Sequence, residues 1–297
     1  MVESISIVNI QNKNELIMDK LNTEDFVLGY VNWNSAESEK FTTKYLEQIG
    51  STIVRSVLQM RPIEIVGYAI AETEEQMSQR KKFLNAFVSP LEFYIAKYNG
   101  YAIQFQPTMS IQYANEEETN NNEYICKFKI SGICPDPLFS LEEDMEAKLA
   151  LYSGMFHFPL QMTQEEPVVF GTKVESRTII INNFGDVSTG MVFTITAKGT
   201  VVNPTVTNMS TGDFFTINKT LAEGDIVVVN TRIGSKSVQG GTPGSMSNYF
   251  RYKTLQSKWI QLQKGLNNIR YSAISGADNM TVDISYSPRF MEVQECY

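Results

Sequence analysis

The chain has 297 residues, enough for two domains and for cores that need no disulfide or metal staple. It is 42% hydrophobic and 20% charged, hence globular, and its formal charge of −8 argues against a protein built to grip nucleic-acid phosphates. Three cysteines, Cys126, Cys134 and Cys296, fit no zinc spacing and read as reduced thiols, and no apolar run is long enough for a membrane span.

The first part reads as strands with one helix. Ile5–Val8 and Phe26–Val31 are rich in β-branched and aromatic residues, as strands are. Residues 35–60 fit neither the helical nor the strand period. Ile63–Tyr68 resumes the strand pattern, and a helix follows. Thr73 is its N-cap with Gln76 as capping-box partner; Met77, Leu84 and Val88 share one face, and Pro90 ends it. Asn99-Gly100 separates two strand-like runs by two residues, the signature of a type I′ hairpin. After the polar loop NEEETNNNE, Tyr124, Cys126, Phe128 and Ile130 alternate with Ile125, Lys127 and Lys129. In CPDPLFSLEED, two prolines mark a strand end, and Ser140 ahead of Glu143 marks a short helix start.

A domain boundary is therefore expected near 139, with 1–139 as the first domain, 140–167 as a linker and 168–297 as the second domain. The second reads as nearly all β. Phe193, Ile195 and Ala197 alternate with polar residues, as do Val282, Ile284 and Tyr286, and Ile226–Val229 is apolar throughout. Trp259–Leu262 and Asn268–Tyr271 look like a strand pair around the turn Lys264–Asn267, and the Gly/Ser-rich stretch 233–248 reads as a flexible loop. Short strands between Gly, Asn, Asp and Pro turns suggest a β-sandwich or jelly roll.

Reactive chemistry is scarce. The one histidine, His157, lies in the linker between Phe156 and Phe158, with nothing near it in sequence to build a nucleophile–base pair. No phosphate-binding loop occurs, GGTPG lacks a following helix, and the acidic loop 115–123 lacks the order of a calcium loop. Asn208, Asn218 and Asn279 match the glycosylation pattern, but the N-terminus shows no secretory signal. No catalytic, cofactor-binding or metal-binding residues are expected.

The stretch INNFGDVSTGMVFTITAKGTVVNPTVTN and its continuation resemble the C-terminal domain of the distal tail proteins of long-tailed, non-contractile phages and related prophages. The resemblance rests on Asn183, Gly185, Asp186, Val187, Thr189 and Gly190, then on Asn203-Pro204-Thr205, Thr211-Gly212 and Gly224-Asp225. Asn230-Thr231, Gly234, Lys236 and Val238 continue it, and Trp259, Gly265 and Asn267 lie in SKWIQLQKGLNNIRY, which resembles the family's Trp/Phe-Leu-x-Leu-x-x-Gly-x-Asn segment. In the first half, RPIEIVGYAIAETEEQ, the YNGYAI hairpin at Gly100 and YICKFKISGICPDPLF follow in the family's order.

This resemblance implies a mainly β protein: an N-terminal split-barrel-like or sandwich domain with one helix, and a galectin-like C-terminal β-sandwich. It implies a virion structural protein at the distal end of the tail, made in the host bacterial cytoplasm. Its N-terminal domains would close a homo-hexameric ring between the tail tube protein and the tail-tip or baseplate proteins, with a receptor-binding protein as a further partner. DNA would pass through such a ring without specific binding, and neither membrane insertion nor enzyme activity is implied. The rival reading is a carbohydrate-binding module for host adhesion, although the galectin-type His-x-Asn-Pro-Arg signature is missing: Val201 and Thr205 flank Asn203-Pro204 where it would need His and Arg. Within 181–208, the segment Asn182–Gly190 reads as a turn between two strands, with Gly185 or Gly190 supplying unusual backbone angles.

Overall fold

The structure is a computed structural model that describes residues 4–21, 25–47, 49–114, 125–148, 151–153, 172–174 and 177–293. His157, Cys296 and the acidic loop 115–123 lie outside the described residues. The chain divides into two compact units, Met1–Glu142 with Phe290–Tyr297, and Glu143–Arg289. The second unit is thus inserted into the first, where the sequence suggests two domains in tandem.

In the first unit the strands are β1 (Ser4–Asn9), β2 (Glu15–Asp19), β3 (Phe26–Asn32), β4 (Ser38–Thr43), β5 (Thr52–Leu58) and β6 (Arg61–Ile70). Helix α1 (Glu74–Phe87) follows, then β7 (Tyr94–Tyr98), β8 (Tyr101–Pro107), β9 (Gln112–Tyr113), β10 (Ile125–Cys134) and β11 (Phe139–Leu141). The order β8-β7-β1-β2-β3-β6-β10 returns to β8, so these strands close into a barrel-like sheet. Closure falls where Gly132 of β10 faces Pro107 of β8. A Cβ on Gly132 would stand 2.6 Å from the Phe105 ring, so only glycine lets the strands approach there. Between β2 and β3 the sheet is held by one parallel pair, Asp19 with Val27. Alternation on each strand fills the interior with Ile5, Ile7, Leu16, Met18, Ile65, Phe105 and Phe128.

Helix α1 begins at the expected cap. Thr73 accepts a hydrogen bond from Gln76 N at 3.3 Å, and Gln76 Oε1 accepts from Glu72 N at 3.0 Å. Met77, Leu84 and Phe87 are its buried face. The β7–β8 hairpin has Asn99 at φ 51° and Gly100 at φ 82°, the two positive angles a type I′ turn requires.

The helix expected after Ser140 is absent. Ser140 lies in β11, pairs with Ala102 and donates to its carbonyl at 3.2 Å, because the free edge of β8 offers a ladder that a short helix start cannot match.

The second unit contains β12 (Met145–Lys148), β13 (Leu151–Ser153), β14 (Thr172–Val174), β15 (Thr178–Asn183), β16 (Thr189–Ala197), β17 (Val201–Val202), β18 (Thr205–Asn208) and β19 (Asp213–Thr216). Then come β20 (Thr220–Leu221), β21 (Ile226–Asn230), β22 (Ser237–Thr242), β23 (Ser245–Asn248), β24 (Gln261–Leu262), β25 (Gly265–Ser272) and β26 (Met280–Tyr286), and β27 (Arg289–Phe290) leads back to the first unit. One sheet runs β12-β26-β16-β21-β22-β23 with β24 beside β16; the other runs β15-β25-β18-β19. Phe193, Ile195, Val227 and Val282 from the first sheet meet Ile181, Val206, Phe215 and Ile269 from the second in one core, which makes the unit a sandwich.

Two expectations fail here. The Gly/Ser-rich stretch is not a loop: it carries the hairpin β22–β23, with Gly240 a strand residue because the Tyr249 ring lies where its Cβ would be, 2.2 Å away. Nor do Trp259–Leu262 and Asn268–Tyr271 pair. Leu262 pairs with Thr189 in one sheet while β25 pairs with β15 and β18 in the other, so the intervening turn carries the chain across the sandwich.

Candidate assembly surfaces

The hairpin β4–β5 forms a sheet of its own. Every residue in its two strands is exposed except Thr43 and Leu58, which are half-buried. It is nevertheless apolar: Phe41, Ile53, Val54 and Val57 lie on its strands, and Tyr45, Leu46 and Ile49 at its tip, with Leu46 at 97% and Ile49 at 101% exposure. A two-stranded ribbon with neither face covered is marginal in water, and such an apolar surface on it marks a contact site. Sequence reading missed the arm because a ribbon exposed on both faces has no burial to impose a period of two.

The motif positions of the second unit resolve into turns held by buried amides. Asn183 is fully buried; its Nδ2 donates to Val187 O at 2.9 Å and Leu262 O at 3.1 Å, and its Oδ1 accepts from Gly185 N at 3.1 Å. Asp186 N donates to Arg289 O at 2.8 Å, and the Asp186 carboxylate lies 3.7 Å from Lys264. Residues 184–188 therefore connect β15 to β16. The reason for glycine differs from the expected one. Neither Gly185 nor Gly190 has positive φ; a Cβ on Gly185 would be 2.6 Å from Arg289 N, and one on Gly190 2.5 Å from Arg232 Cα. Close backbone approach, rather than an unusual angle, excludes a side chain. Thr189, beside Gly190, donates to Ser287 O at 2.8 Å.

Asn203 takes a left-handed φ of 52°, and the Pro204 carbonyl after it accepts from Ile217 N at 3.0 Å. Gly212, Gly234 and Gly265 have φ of 75°, 85° and 89°. Asp225 Oδ2 accepts from Ala222 N at 2.9 Å and closes the turn before β21. Asn267 is fully buried: its Nδ2 donates to Gln263 O at 2.7 Å and Gly265 O at 2.9 Å, and its Oδ1 accepts from Gln263 N and from Asn208 Nδ2 at 2.8 and 3.1 Å. Lys236 and Trp259 stand apart from these turns, the ammonium 5.8 Å from the indole centroid. Gly100 belongs to the first unit, in the β7–β8 turn.

Two buried polar residues carry more of this network than sequence reading assigned them. Asn208 is fully buried and engaged with Asn267 and Gln261 O, so its glycosylation pattern is structural coincidence. Thr231 is fully buried, and its hydroxyl accepts from Met191 N at 2.9 Å and lies 2.8 Å from Ile260 O. Among the described residues no group of three or more His, Cys, Asp or Glu side chains could hold a metal, and no helix is long and apolar enough to cross a membrane.

Residues 184–290 match the family described as siphovirus-type tail component, C-terminal domain. The resemblance to the siphophage distal tail proteins is borne out by the fold of nearly the whole chain. It is similar to the SPP1 Dit protein, described as a paradigm of the hub adsorption apparatus in phages that infect Gram-positive bacteria. The TM-score is 0.66 at 13% identity, over 96% of this chain and 99% of that one. Chains of the phage P2 baseplate in its activated conformation, with calcium and with strontium, align at TM-scores of 0.52 and 0.56 and 12% identity, over 97% of this chain and 98% of theirs. No curated protein matches the sequence significantly.

Proposed function

We propose that this protein is the structural hub at the distal end of a siphophage-type tail. Six copies close a ring through their first units, the ring joins the tail tube protein to the tail-tip or baseplate proteins, and it anchors a receptor-binding protein. The parts assemble in the host bacterial cytoplasm, and the protein works by surface rather than by catalysis. The arm β4–β5 carries this reading. Its apolar residues form a patch the monomer leaves uncovered, and a patch that docks on a different surface of the next copy closes a ring when the rotation fits.

Negative-stain microscopy and light scattering of the purified protein test the reading, compared with the double substitution Leu46→Ser and Ile49→Ser. Both side chains are fully exposed, so folding is unaffected. Six-fold rings with a central opening are expected from the native chain, and monomers with unchanged melting from the variant. Rings that survive the substitutions would refute the arm's role. A native chain that stays monomeric at every concentration, even with tail tube protein present, would refute the ring.

A further inference from the structure

Charge is segregated along the chain. Residues 226–277 contain no Asp or Glu but seven basic residues, Arg232, Lys236, Arg251, Lys253, Lys258, Lys264 and Arg270. Since the whole chain carries −8, the remainder sums to −8 − 7 = −15. Three of the seven are neutralised: Arg232 by Asp144, Lys258 by Asp213 at 2.8 Å and Lys264 by Asp186 at 3.7 Å. Lys236, Arg251 and Lys253 have no carboxylate partner among the described residues and lie instead over aromatic rings. Lys236 is 5.8 Å from the Trp259 centroid, Lys253 6.0 Å from the same ring, and Arg251 4.7 Å from Tyr252. Ring contacts hold the cations in place without neutralising them.

Of these, Lys236 lines a groove of about 250 Å³ with Ser237, Gln239, Met246, Ser247, Asn248 and Phe250, and Arg251 follows Phe250 in the chain. Phe250 is 54% exposed and leans on the half-buried Trp259, with ring centroids 6.1 Å apart and an interplanar angle of 34°, so the exposed aromatic surface at this groove is that of Phe250. The platform is built in advance. Asn248 Oδ1 accepts from Phe250 N at 2.8 Å, Tyr249 N donates to Val238 O at 2.9 Å, and Tyr249 packs against Gly240.

We infer that this face of the second unit binds an anionic glycan, a saccharide bearing phosphate or carboxylate groups. The exposed ring stacks on the apolar face of one sugar, the Ser, Gln and Asn side chains around it meet hydroxyls, and Lys236, Arg251 and Lys253 hold the anionic groups. The groove takes a single ring-sized unit, and the acidic remainder of the chain repels a long polyanion; both favour a glycan over single-stranded nucleic acid. The inference does not depend on ring assembly.

Binding of the full chain to four probes tests it: phosphorylated maltotetraose, tetragalacturonate, neutral maltotetraose and an oligothymidylate. At least one of the first two is expected to bind about tenfold or more tightly than maltotetraose, and which one identifies the anion. Lys236→Gln with Arg251→Gln should remove that preference and its salt dependence. Phe250→Ala should weaken binding of the preferred probe about tenfold while leaving melting unchanged. The inference fails if neither anionic saccharide outbinds maltotetraose, if the oligothymidylate binds as tightly, or if the variants bind like the native chain.

Discussion

Cys134 shows how far burial alone changes a side chain's chemistry. It is fully buried at the end of β10, and burial pushes its thiol up from about 9 to about 12, with the nearby Arg61 guanidinium opposing only part of the rise. The unfolded thiol ionises from about pH 9, whereas the folded one keeps its proton until about pH 12. Above pH 9 the unfolded state therefore binds fewer protons, so this contribution to stability is whole below pH 9 and is lost as pH rises toward 12. Urea unfolding between pH 8 and 11 should show stability falling with pH, by less in Cys134→Ala. At pH 8 the native protein should also resist iodoacetamide at this position, with reaction appearing only in denaturant. A flat pH profile shared by both proteins would show that the thiol is not protected as its burial implies.

At the scale of elements, legibility follows burial. Strands with one buried face announce themselves: Phe193, Ile195 and Ala197 are buried and the residues between them are not, as their alternation suggests. Helix α1 was equally readable, since a capped segment with one apolar face has few alternatives. The arm β4–β5 buries nothing, so residues 35–60 carried no period to read. The hairpin β22–β23 was hidden by composition, its glycines being selected by Tyr249 packing from above rather than by turn geometry. The partners of β24 and β25 were illegible for a third reason: two adjacent strand-like runs look the same whether they pair or separate into opposite sheets. Among the motif residues, sequence similarity picked out Asn183 and Asn267, but only their hydrogen bonds show that they hold turns. Asn267→Ala tests that role. It removes a fully buried amide, takes one of two acceptors from Asn208 Nδ2 and strips the Gln263 and Gly265 backbone of its side-chain partner, so the second unit should lose about 2–4 kcal/mol in urea unfolding. A loss below about 0.5 kcal/mol would mean that water replaces the amide at little cost.

The whole molecule is joined in an order that sequence position conceals. The first unit is completed by the last part of the chain, after all of the second has been synthesised. Phe290 is 3% exposed in the barrel core, edge-on to Tyr101 with centroids 5.3 Å apart. Arg61, fully buried at the start of β6, donates to Asn34 O at 3.0 Å and to Met291 O, stacks 4.8 Å above Phe139 and pairs with Glu292 at 3.4 Å. The barrel therefore holds this segment through the Phe290 and Val293 side chains, the pairing of β27 with β11 and the buried Arg61 cation. Phe290→Ala should cost the first unit about 3–5 kcal/mol. The two tryptophans allow this to be read unit by unit, since Trp33 packs against Phe139 in the first and Trp259 against Phe215 in the second. With Trp259→Phe as background, the Trp33 fluorescence transition should move to lower urea; with Trp33→Phe, the Trp259 transition should stay in place. If Phe290→Ala shifts both transitions together, the two units unfold as one cooperative body, coupled through the C-terminal return. If it shifts neither, the barrel closes without its last strand.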